Sequence, residues 1–178
     1  PGRALRRDGA QVGDDVWVTG TLGDAAAALQ SLFAGAALDR ALRARLDRPA
    51  PRVEAGQRLV GLADACIDVS DGLLADLGHI CARSNAGAEI ELDALPASSA
   101  LQRFSPAMRH AWQTAGGDDY ELCFTARREL RDEIAMAMGA VGVPATRIGI
   151  IVAEQGVRAS DTSGNPWHPP RAGYTHFT

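Results

Sequence analysis

Apolar and polar positions alternate along the chain in two periods, and together they predict short strands interleaved with amphipathic helices. Val16-Trp17-Val18-Thr19 reads as a strand, followed by a turn with two glycines and an Ala-rich helix from about Ala25 to Ala34, with Asp24 as its N-cap. Leu38, Leu42 and Leu46 recur at i+4 and predict a second helix. Arg48-Pro49-Ala50-Pro51-Arg52 must break it, because neither proline fits a helix interior. Helix resumes from Val53 to Ala65 and runs into a β-branched strand around Cys66–Val69. Leu73, Leu74, Leu77 and Ile80 then share one face of a central helix that stops near Ser84-Asn85-Ala86-Gly87. Ala88-Glu89-Ile90-Glu91-Leu92 alternates as a half-buried strand, and residues 99–115 read as one helix around Leu101, Phe104, Met108 and Trp112. In Gly116-Gly117-Asp118-Asp119-Tyr120-Glu121-Leu122, the alternation places Tyr120, Leu122 and Phe124 inward. Asp119 and Glu121 then face outward, with Asp118 at the bend. A helix over 129–138, a strand over 147–152 and a turn at Asp161–Pro166 complete the pattern. The expected fold is α/β (α+β): one layered mixed sheet from strands near 16, 66, 90, 121 and 149, with helices on its faces.

The stretch Ile67-Asp68-Val69-Ser70-Asp71-Gly72-Leu73 stands out because the period changes inside it. A strand ends where a helix begins, and a helix N-terminus offers partial positive charge and unpaired N–H donors to a phosphate. Asp68 and Ser70, two apart, leave the strand on the same side, and Asp71 follows at the bend. Hard oxygen groups beside a phosphate site suit Mg²⁺, which is held by one or two carboxylates plus nucleotide phosphates. Two readings stand: Ser70 and Asp71 cap the helix, or they belong to a metal and phosphate site. Asp68 favours the second, since an acid within Ala65–Val69 would be desolvated with no evident partner.

The 178 residues suffice for one domain with a substantial core. A net charge of −4 argues against a general nucleic-acid or anionic-membrane binder, and no apolar run reaches membrane-spanning length. Three cysteines (Cys66, Cys81, Cys123) without CxxC spacing fit reduced, buried thiols in a cytoplasmic protein. The turn Gly20-Thr21-Leu22-Gly23-Asp24 lacks the Gly-Lys-Ser/Thr of a Walker loop. Arg3, Arg6 and Arg7 form either a solvated basic leader or an anion contact. No Ser-His or Cys-His nucleophile pattern is present. The chain begins at Pro1 and runs directly into what reads as mid-protein sequence.

Taken together, Ile67–Leu73, Gly116–Leu122 and the tail Gly173-Tyr174-Thr175-His176-Phe177 resemble the C-terminal part of the thiamine-monophosphate kinase family. That family lies within the aminoimidazole-ribonucleotide synthetase-like superfamily. Arg7 ahead of Gly13-Asp14, the Val18–Asp24 turn and Arg48–Arg52 match as well, so the resemblance runs along nearly the whole chain. It implies transfer of the ATP γ-phosphoryl group to thiamine monophosphate, with Mg²⁺ as cofactor. Carried over by position, Asp68 would ligate Mg²⁺, Asp71 would hold a further Mg²⁺, and Ser70 and Arg7 would contact ATP. Asp118 would contact the substrate, where the family often has Glu. Tyr174 would pack near the thiamine moiety. The resemblance also implies an N-terminal domain, outside these residues, that supplies more metal-binding acids and a homodimer interface. The chain alone is therefore expected to be inactive. A sister enzyme acting on a purine-pathway amide or on selenide would share Asp68, Ser70 and Asp71 but lack the Gly-Tyr-x-His-Phe ending. A non-catalytic nucleotide-binding module would keep only the fold.

Overall fold

A computed structural model describes residues 4–169. Seven strands form one mixed sheet in the order β2-β4-β1-β5-β3-β6-β7. They are β1 (Asp15–Thr19), β2 (Ala65–Asp68), β3 (Gly87–Glu91), β4 (Leu122–Ala126), β5 (Ala145–Val152), β6 (Gly156–Ser160) and β7 (Pro166–Trp167). Only β3 and β6 run parallel; the remaining pairs are antiparallel. The six helices are α1 (Asp24–Phe33), α2 (Arg40–Asp47), α3 (Val53–Leu59), α4 (Leu73–Ser84), α5 (Pro106–Ala115) and α6 (Arg131–Gly139). The expected layered α/β architecture is present, with two more strands than the pattern predicted. β6 and β7 are short and only half-buried, so they carry little hydrophobic alternation.

Both faces of the sheet are covered, and successive residues of a central strand feed different cores. Val16 and Val18 of β1, Ala65 and Ile67 of β2 and Cys123 of β4 pack with Leu73, Leu77 and Ile80 of α4. Trp17, Cys66 and Phe124 point the other way, onto Ala55 and Leu59 of α3 and Ile134 and Met138 of α6. Trp17 and Phe124 face each other across the β1–β4 pair and stack with ring centroids 6.2 Å apart. Complete burial of a side chain of this size contributes about 1.5–3 kcal/mol. A third cluster joins α1, α2 and α5 through Ala27, Ala28, Leu42, Leu101 and Trp112.

Several local expectations are corrected. Helix α3 stops at Leu59 rather than reaching Ala65, and the chain turns through Val60–Ala63 before β2. Residues 99–115 are not one helix: a single turn at Leu101–Arg103 ends before Ser105, whose hydroxyl caps α5 with Pro106 at its start. Met108, expected inside, is exposed. The cap of α1 is Gly23 at φ 87°, and Asp24 is the first helical residue. The carboxylate serving that terminus comes from far along the chain, as Gly23 N–H donates to Asp119 Oδ2 at 2.8 Å.

Strand directions gather the motifs. β1 and β2 end, and β4 begins, at the same edge of the sheet, with Val18 opposite Cys123 and Asp68 opposite Leu122. The turns after β1 and β2 and the turn before β4 therefore meet.

Candidate functional site

At that edge the two acidic motifs are joined backbone to backbone. Val69 N–H donates to Glu121 O (2.8 Å), Tyr120 N–H to Val69 O (2.9 Å) and Asp118 N–H to Ser70 O (3.0 Å). The β2–β4 pairing thus continues past the strands into the turns. Asp118 and Tyr120 both adopt positive φ (65° and 51°), a conformation uncommon outside glycine. Gly117 permits the approach: a Cβ there would lie 2.5 Å from the Ser70 carbonyl oxygen.

These two left-handed residues reverse the expected inside-out order. Asp119 and Glu121, expected to face solvent, are 2% and 0% exposed, while Tyr120, expected inside, is exposed. The physical reason is a set of partners that the alternation could not show. Glu121 accepts from Arg52 (Nε to Oε2, 2.7 Å; Nη2 to Oε1, 2.6 Å), from Arg45 Nη2 (2.8 Å) and from Thr19 Oγ1 (2.7 Å). Arg45 also donates to the Asp119 carbonyl (3.2 Å). Asp24 sits beside them, accepting from Thr21 Oγ1 (2.8 Å) and Ser98 Oγ (2.6 Å). The Glu121 carboxylate holds the Arg52 guanidinium above its ordinary value. Burial drives the Asp119 carboxyl up to about 8; the Gly23 N–H and Arg45 oppose the rise, and Asp24 and Glu121 add to it.

Asp68 is corrected in the other sense. It is not desolvated: at the last position of β2 its side chain is about half exposed (52%), with Arg7 Nη2 at 4.0 Å from Oδ1. Arg7 follows directly on Arg6, whose carbonyl accepts from Cys66 N–H at 2.6 Å along β2; the Arg6 and Arg7 side chains are exposed, and Arg3 lies outside the described residues. Nor do Ser70 and Asp71 cap the helix. Gly72, at φ 115°, is the cap residue of α4. Asp76, one turn into α4, accepts the Ser70 N–H (2.9 Å) and the Asp71 N–H (3.0 Å) on Oδ2. These two amides ahead of the helix are thus already bonded to a carboxylate. Burial raises the Asp76 carboxyl, those two N–H bonds counter it, and the charges of Asp71 and Asp68 add to the rise. The Tyr120 phenol is also raised, chiefly by Asp118 and further by Asp68 and Asp71.

Five of the sequence-predicted residues, Arg7, Asp68, Ser70, Asp71 and Asp118, therefore occur at one corner. Tyr174 lies outside the described residues. Sequence reasoning missed Asp76, Thr19, Arg45 and the pairing of Arg52 with Glu121. The available signal was Arg48-Pro49-Ala50-Pro51-Arg52, a stiff segment ending in a cation.

Among the described residues, no three or more His, Cys, Asp or Glu side chains form a group that could hold a metal ion. The corner is instead an open cluster of acids whose charges are felt at Asp76 and Tyr120. Such hard oxygen donors fit Mg²⁺, which takes one or two carboxylates and completes its shell with water and phosphate oxygens.

The chain belongs to a recognised class of domain. Residues 11–162 match the family described as AIR synthase related protein, C-terminal domain. Within that class the relatives are specific. The chain is 44% identical over 182 residues to thiamine-monophosphate kinase of Escherichia coli (strain K12), covering 99% of this chain and 56% of the relative. It is 44% identical over 154 residues to the Haemophilus influenzae enzyme of the same name, covering 84% of this chain and 47% of the relative. The crystal structure of thiamine-monophosphate kinase from Stenotrophomonas maltophilia K279a superposes with a TM-score of 0.85 at 50% identity, over 89% of this chain and 54% of that one. The structure described as AaThiL complexed with AMPPCP and TMP superposes with a TM-score of 0.80 at 32% identity, over 97% and 54%. The chain spans about half the length of these relatives.

Proposed function

We propose that this chain is the C-terminal half of an enzyme that transfers the γ-phosphoryl group of ATP to the phosphate of thiamine monophosphate, giving thiamine diphosphate and ADP. The observation that carries the reading is the meeting of the Asp68–Asp71 turn with the Asp118 turn at one sheet edge. It agrees with the names of the relatives and with a neighbour described as complexed with AMPPCP and TMP. Phosphoryl transfer calls for positioning and charge neutralisation more than for covalent catalysis. In this reading an oxygen of the acceptor phosphate attacks the γ-phosphorus in line as the bond to the ADP oxygen breaks. Ser70 and Arg7 orient the nucleotide. Asp118 contacts the acceptor from the facing turn, and Tyr174 packs by the thiamine moiety. Asp68 and Asp71 would hold Mg²⁺, which when bound neutralises phosphate charge and aligns the transferred group.

The remaining half of the enzyme, in the same proposal, contributes further acids and the homodimer interface, and residues 1–178 alone do not turn over. The protein works in the cytoplasm, with neither nucleic acid nor membrane as partner; no helix among the described residues is long and apolar enough to cross a membrane.

Calorimetric titration of the intact protein with Mg²⁺, a non-hydrolysable ATP analogue and thiamine monophosphate, paired with a thiamine diphosphate assay, tests the reading. Binding of both ligands and formation of thiamine diphosphate are expected. Nucleotide binding without the thiamine ester would move the assignment to a sister enzyme. Binding of neither ligand would reduce the chain to a scaffold, and normal turnover by residues 1–178 alone would overturn the half-site proposal.

A further inference from the structure

The motif Arg48-Pro49-Ala50-Pro51-Arg52 has no part in the chemistry above, and the structure gives it one. The two prolines separate α2 from α3 and set Arg52 at the N-cap of α3. From there the guanidinium makes a two-point grip on Glu121, with Arg45 of α2 on the same carboxylate and Thr19 at the end of β1 completing the set. Glu121 is the last residue before β4, directly after the left-handed Asp118 and Tyr120. Its own carbonyl accepts Val69 N–H, the first rung of the backbone ladder that ties the two acidic turns together. Non-glycine residues at positive φ persist only where their surroundings over-determine them. Here those surroundings are the Glu121 grip, the Gly23 N–H on Asp119 and the ladder to Val69 and Ser70.

We propose that Arg52, backed by Arg45, is a positioning residue: through Glu121 it holds the Gly116–Tyr120 turn against Val69–Ser70, fixing where Asp118 stands relative to Asp68 and Asp71. Arg52 is partly exposed (21%), with its guanidinium engaged on the Glu121 carboxylate, and it acts through Glu121. The proposal rests on the kinase reading for its kinetic consequence but not for its structural one, so the two can fail separately.

The test compares wild type with Arg52→Met in the intact protein by amide hydrogen exchange and by steady-state kinetics with ATP and thiamine monophosphate. Arg52→Met is expected to speed exchange of the Asp118 and Tyr120 amides by about tenfold or more, leaving β3 and β5 amides unchanged. It is also expected to raise KM for thiamine monophosphate about tenfold, with kcat changed less, since a small misplacement of a positioning group has effects of this size. Arg52→Lys keeps the charge without the two-point grip and gives the same shifts in smaller measure. It serves also if Arg52→Met fails to fold, as does Thr19→Val, which removes one hydroxyl from Glu121. Exchange that rises evenly across the sheet, or an unchanged KM in folded variants, would overturn the positioning role. Faster local exchange in a protein whose wild type makes no thiamine diphosphate would leave the clamp standing and remove the kinase reading instead.

Discussion

Two groups of acids lie within a few residues of one another and are treated in opposite ways. Asp24, Asp119 and Glu121 are almost wholly buried and surrounded by arginines, hydroxyls and a helix-end amide. Asp68 is about half exposed, with its nearest cation at 4.0 Å, and Asp118 stands on a strained turn beside Tyr120. Glu121, whose charge is matched by Arg45 and Arg52, has its oxygens already taken by protein donors. An open carboxylate, crowded by other acids, is the kind that a divalent cation relieves. Motif membership alone does not separate these roles, because Asp118, Asp119 and Glu121 share one motif.

The comparison can be broken at its buried side first. Glu121→Ala leaves Arg45 and Arg52 facing an empty carboxylate position, and removing one partner of a buried ion pair costs about 3–5 kcal/mol. Urea unfolding should show that loss, and a loss below about 1 kcal/mol would mean that the grip does not stabilise the fold. On the open side, Asp68→Asn should reverse the pattern. In the intact enzyme kcat/KM is expected to fall about a hundredfold or more, about 2.7 kcal/mol, while stability changes within about 0.5 kcal/mol. Wild-type activity in that variant would remove Asp68 from the metal site.

A pH effect sharpens the boundary between the groups. Asp119 holds its proton up to about 8 when folded, whereas the unfolded chain releases it near the ordinary carboxyl value. Between those values the folded protein binds the extra proton, so stability declines as pH rises through the window and levels off above about 8. Asp119→Asn keeps an acceptor for Gly23 N–H and should flatten the decline, as read from urea midpoints near pH 5 and near pH 8. An unchanged slope would assign the pH dependence to another group.

Most of the architecture was legible because β1, β2, β3 and α4 state their periods plainly: Val16 and Val18, Ala65 and Ile67, Ala88 and Ile90, and Leu73, Leu77 and Ile80 are all buried as expected. The corner itself was legible as three acids and a hydroxyl, since Asp68, Asp71, Asp118 and Ser70 do meet. Their surroundings were not. Two departures from extended backbone, at Asp118 and Tyr120 on either side of Asp119, cost the alternation its phase, and no two-residue period can anticipate a positive φ. The partners of Glu121 lie 69, 76 and 102 residues away, so local spacing could not reveal them. Asp76 carries no signal in the local pattern, yet it folds back on the chain before it to accept the Ser70 and Asp71 amides.

The close seat of Gly117 on the Ser70 carbonyl has a bearing on how such a protein can vary. A single methyl at 117 would wedge the turns apart without altering any charged group. Along this edge, a demand of pure fit falls on a residue that has no side chain at all.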